Sequence, residues 1–131
     1  MQTMPVAVLK SGLTVGNFSS PHAFTFEDET VLAGCEAERC KALSLREEET
    51  EAPFLGGASK FGALAVTPKF VLTEEIRQAL IKASYEADIV LVSFPTLAAL
   101  KEAKELDNFL SVCTIRADRL TKKVSTTKFC R

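Results

Sequence analysis

Thr73 opens the segment that most restricts what this chain can fold into. Behind it Ile76, Ala79, Leu80, Ala83 and Ala87 recur at helical spacing, and Glu74 and Glu75 occupy the first turn, where negative charge suits the helix dipole. The spacing predicts a helix over 74–87. It empties into Ile89-Val90-Leu91-Val92-Ser93-Phe94, a strand apolar on both faces that needs neighbours on either side. Pro95 ends that strand. Thr96 is placed to cap a second helix, with Leu97, Leu100, Ala103 and Leu106 on one side and Lys101, Glu102, Lys104 and Glu105 on the other. Leu110 to Ala117 then alternates, and Val124 to Cys130 reads as a last strand that closes a basic hairpin. Strand, helix, strand, helix, strand calls for crossovers onto a sheet that is at least partly parallel.

Upstream the pattern changes. Val6 to Lys10, closed by Ser11-Gly12, reads as a first strand, and His22 to Phe26 alternates ahead of the polar turn Glu27 to Thr30 and Val31-Leu32-Ala33, which suggests a hairpin. Glu36 to Leu45 fits a helical stripe through Cys35, Arg39 and Leu43, yet Lys41, Leu43 and Leu45 fit alternation, so strand is favoured for its second half only. Glu47 to Pro53 and Leu55 to Ser59 form a polar and then glycine-rich break. The expected fold is therefore α+β, a β-rich N-terminal half followed by a strand-helix-strand-helix-strand unit on a mixed sheet. It forms a single domain over 1–131, because a chain of 131 residues buries one core and leaves little for a second.

An apolar share of 47% with 25% charged residues excludes fibrous, collagenous and wholly disordered classes. No apolar run approaches the roughly 20 residues of a membrane-spanning helix, and Met1 to Lys10 lacks a basic start followed by an apolar stretch. No membrane partner is expected, and the predicted location is cytoplasmic. The net charge of -1 hides a strong asymmetry: Glu27 to Glu51 holds nine acids against three bases, whereas Val112 to Arg131 holds six bases and one acid. Such a division sets a surface field and selects partners without choosing a fold.

Chemistry-bearing residues are sparse. Cys35, Cys40, Cys113 and Cys130 could close a tetrahedral zinc site, but only the first pair approaches ligand spacing, so reduced thiols and no metal are expected. His22 is the sole histidine, and nothing in the spacing selects a cysteine or serine to pair with it; Glu74-Glu75 and Glu47-Glu48-Glu49 read as helix-start and solvated charges. Gly56-Gly57-Ala58-Ser59-Lys60-Phe61-Gly62 has the glycines, hydroxyl and cation of an anion-contacting loop without the Walker order, and a flexible connector is the favoured reading. Ser93 and Thr96 lie where a buried strand meets a helix, the place where open sheets with parallel strands bind ligands. Arg116, Arg119, Lys122, Lys123 and Lys128 add a basic hairpin, but Phe129 is its one aromatic, which argues against extended nucleic acid as a partner.

Three readings follow from these residues. The first is a non-catalytic interaction protein, expected to be a homo-oligomer in which acidic and basic segments or exposed strand edges meet. The second is a binder of a small anionic ligand, phosphorylated or a nucleotide, held by Lys60, Ser93, Thr96, Arg116, Arg119, Lys122, Lys123 and Lys128. The third is a small enzyme that uses a cysteine and His22. Motif poverty favours the first, and no cofactor is expected.

Overall fold

Short, largely buried strands build a four-stranded mixed sheet in the computed structural model, which describes residues 3–53, 61–62, 64–115 and 117–131. The strands are β1 (Val6–Val8), β2 (Thr14–Asn17), β7 (Ile89–Leu91) and β8 (Val112–Cys113), in that spatial order. β1 and β2 are antiparallel, with Ala7 opposite Val15; β2, β7 and β8 run parallel, with Gly16 opposite Val90 and Val90 opposite Val112. Two short strands, β3 (Phe24–Thr25) and β4 (Val31–Leu32), form the hairpin expected around Glu27 to Thr30.

The helices lie on one face. In α2 (Glu74–Glu86) the Thr73 hydroxyl accepts from the Ile76 N–H, so the residue ahead of the periodic run does cap it. Ile76, Leu80 and Ala83 of α2 pack with Leu97 and Leu100 of α3 (Phe94–Glu102) on Val90 and Val112 of the sheet. Gly16 lets this layer close down, since a Cβ there would sit 3.3 Å from the Ala87 methyl and run into the Met4 thioether. On the opposite face Phe26, Leu32 and Val124 cover Val15, Leu91 and Cys113. The result is three layers around two apolar clusters, with Phe18, Phe26, Leu80 and Val15 wholly buried.

Several segments differ from the sequence expectation. β2 hides behind Gly16 and Asn17, residues poor in strand propensity that a buried position nevertheless uses. Ala37–Ala42 is a short helix, α1, fixed by tertiary contacts: the Arg39 Nε donates to the Phe18 carbonyl at 3.0 Å and its guanidinium lies over the Phe18 ring. The polar stretch before the glycines is a strand, β5 (Arg46–Pro53), paired along its whole length with β6 (Leu64–Val71) in a separate antiparallel ribbon. The order strand, helix, strand, helix, strand therefore holds as β6, α2, β7, α3, β8, with its first strand in the ribbon rather than in the sheet.

The C-terminal segment is a tight turn and not a long hairpin. Only isolated bridges join Thr114 to Cys130 and Ala117 to Val124, and a parallel bridge ties Val124 to Phe26. The free edge of β8 is thus covered in part by the C-terminal residues, and Arg131 donates to the carbonyls of Leu110 and Leu106 at 2.9 and 2.8 Å. No described helix is long and apolar enough to cross a membrane.

Candidate functional site

Asn17 ends β2 with a fully buried side chain that shapes the loop beyond it. Its Nδ2 donates to the carbonyls of Ser20 (3.0 Å), His22 (3.3 Å) and Ala33 (3.1 Å), and its Oδ1 accepts from the Ser20 N–H at 2.9 Å. Cys35 adds a thiol bond to the Asn17 carbonyl and an N–H bond to the Ser20 carbonyl. Gly34 permits the close approach, because a Cβ there would land on the Pro21 carbonyl. A loop held by so many bonds is a rigid rim.

That rim, with the start of α3, encloses a cleft of about 400 Å³ beyond the carboxyl ends of the parallel strands β2 and β7. Ser19, Ser20, Ser44, Cys40, Ser93 and Thr96 supply its polar lining, and among the described residues no charged side chain forms it. Ser93 and not Thr96 holds the N-cap position of α3, and its hydroxyl lies 3.0 Å from that of the buried Thr96 one turn in rather than on a helix N–H. Hydroxyl groups here can hold ligand oxygens, and among the described residues no cation is part of the wall.

The basic residues named from sequence are elsewhere. Asp118 organises a turn: its carboxylate accepts from the N–H groups of Leu120 (2.8 Å) and Thr121 (3.1 Å), and its carbonyl from Lys122 (2.9 Å), which adopts φ 61°. Those two N–H bonds hold the Asp118 carboxyl below the ordinary 3.8. Arg119 and Lys122 are exposed on this turn, whereas Lys123 pairs with Glu29. Lys128 is exposed and its N–H bonds the Ser125 hydroxyl. Lys60 and Arg116 lie outside the described residues. Ser93 and Thr96 are therefore brought together, and Arg119 and Lys122 are brought together, in two separate places.

The ribbon is the third feature, and sequence reasoning missed it. Its cross-strand pairs place Glu47 opposite Phe70 and Glu51 opposite Val66. Glu47, Glu49 and Glu51 alternate along β5, so they share one face, and all three are exposed. Val66 and Phe70 on the same face are 51% and 44% exposed, large values for apolar side chains within a strand. Lys69, on the other face, pairs with Glu102 of α3 at 2.7 Å, which raises the lysine pKa and ties the ribbon to the helix. The alternation of acids was legible, but three consecutive glutamates read first as a solvated break.

The thiols and His22 form no obvious reactive centre among the described residues. All four cysteines are free; burial raises the Cys35 pKa and pushes Cys113 up to about 12. No group of three histidine, cysteine, aspartate or glutamate side chains converges, and no described serine or cysteine side chain hydrogen-bonds the exposed His22 ring. Comparison with protein-family models, with curated proteins and with solved structures finds no match to this chain.

Proposed function

We propose that the chain is a non-catalytic interaction protein that self-associates, with the β5–β6 ribbon as its contact surface. One observation carries the reading: a fully paired ribbon outside the main sheet exposes Glu47, Glu49, Glu51, Val66 and Phe70 on a single face. A two-stranded ribbon is marginal in water by itself, and this one is tied to α3 by the Lys69–Glu102 pair and borders the cleft at its base through Phe70. Covering its other side with a surface that carries cations removes apolar area from water and offsets part of the carboxylate charge. Light scattering is the test. The expected result is a mass above 14.3 kDa that rises with concentration through the micromolar range, and a concentration-independent monomer would refute it.

The cleft favours a second reading, binding of a small ligand. Ser93 and Thr96 stand at the start of α3, where backbone N–H groups lack partners within the helix, and Ser19 and Ser20 face them on a rigid rim. A ligand with several oxygen acceptors fits this lining better than a multiply charged one, because the described residues of the wall are hydroxyl-rich and include no side-chain cation.

A further inference from the structure

We infer that the ribbon's occupant is the Asp118–Lys123 turn of a second copy of this chain, an inference that rests on the self-association proposed above. Leu120 is 93% exposed at the tip of that turn, held outward by the paired N–H bonds to Asp118 and flanked by Arg119 and Lys122. Among the described residues neither cation makes an ion pair, whereas neighbouring Lys123 is already engaged by Glu29. An apolar side chain between two unspent positive charges is the complement of Val66 and Phe70 between Glu47, Glu49 and Glu51.

The contact has to be intermolecular. Val124, which ends the turn, belongs to the apolar cluster on one face of the sheet, while the ribbon packs along α3 on the other face. The sheet stands between the two surfaces of one copy. Ribbon of one copy on turn of the next is a head-to-tail arrangement, so assemblies grow past the dimer until a ring closes. A turn seated on a ribbon buries little area, which sets the association in the weak, salt-sensitive class.

Sedimentation velocity on the full chain tests this with three proteins: wild type, a ribbon variant (Glu47→Lys, Glu49→Lys, Glu51→Lys) and a turn variant (Arg119→Glu, Lys122→Glu). Each variant alone should lose association by at least about tenfold, because like charges then face each other at every contact. An equal mixture of the two should associate again, since the reversed ribbon of one meets the reversed turn of the other and the native surfaces meet likewise. Leu120→Ser should weaken wild-type association without charge change, and it keeps the test decisive if the ribbon variant fails to fold. If the wild type associates and the variants associate equally well, the turn is not the occupant although self-association stands. If the wild type remains monomeric, the function proposed above fails and this inference with it. Monomers that instead float with phosphatidylserine vesicles through Arg119 and Lys122 would likewise overturn it.

Discussion

At the scale of single residues, the most consequential side chain is Asn17. It is fully buried and satisfies one N–H and three carbonyls of the segments that rim the cleft. Asn17→Ala uncovers those groups together, and a buried group left without a partner costs roughly 1–3 kcal/mol, so the variant should lose at least about 2 kcal/mol in urea denaturation. An unchanged midpoint would show that the rim does not depend on this side chain. The thiols separate just as sharply. Cys113 is buried with its pKa near 12 and Cys130 is exposed, so iodoacetamide at mildly alkaline pH should label Cys130 first and leave Cys113 unlabelled in the folded protein, as read by peptide mass spectrometry. The turn that carries Ser93 and Thr96 was legible because a strand followed by proline marks a strand-to-helix transition. The role of Asn17 was not, because its bonds go to main-chain groups of the following loop and of Ala33, which only the folded path of the chain brings to one side chain.

At the scale of elements, local signals and tertiary contacts divide the credit. The α2 helix and the β7 strand followed from capping, periodicity and β-branching, and the β3–β4 hairpin from its turn. α1 depends on the Arg39 bond to Phe18, and β5 on pairing with β6, neither of which leaves a local trace. The basic segment misled in another way: its alternation suggested a long hairpin, but Asp118 nucleates a compact turn and Val124 is drawn into the core. That turn has a testable pH response. The Asp118 carboxyl is depressed below 3.8 by the Thr121 and Leu120 N–H bonds, so its stabilisation is fully present above that value and is lost as pH falls through the lower native pKa. Asp118→Asn keeps an acceptor oxygen but removes this linkage. Its melting temperature should therefore fall less than that of the wild type between neutral pH and the acid end of the carboxylate range. Equal falls would show that the carboxylate does not hold the turn.

At the scale of the whole molecule, charge is distributed by layer. The acidic ribbon lies along the helical face, and the basic turn closes the opposite face on the β3–β4 side. Part of the sequence asymmetry, Glu47 to Glu51 against Arg119 and Lys122, is thus divided between the two faces of the sheet, while Glu29 of the acidic segment joins Lys123 on the basic side. Self-association through the ribbon has one direct signature. Amides of the ribbon should exchange with deuterium quickly in dilute solution, because the ribbon is a two-stranded sheet separate from the main one, and those of β7, buried in the sheet centre, slowly. The decisive measurement is hydrogen exchange by mass spectrometry at several protein concentrations. Protection across Arg46–Pro53 and Leu64–Val71 should rise with concentration while that of Ile89–Leu91 stays constant. Ribbon protection that does not change with concentration would contradict the account.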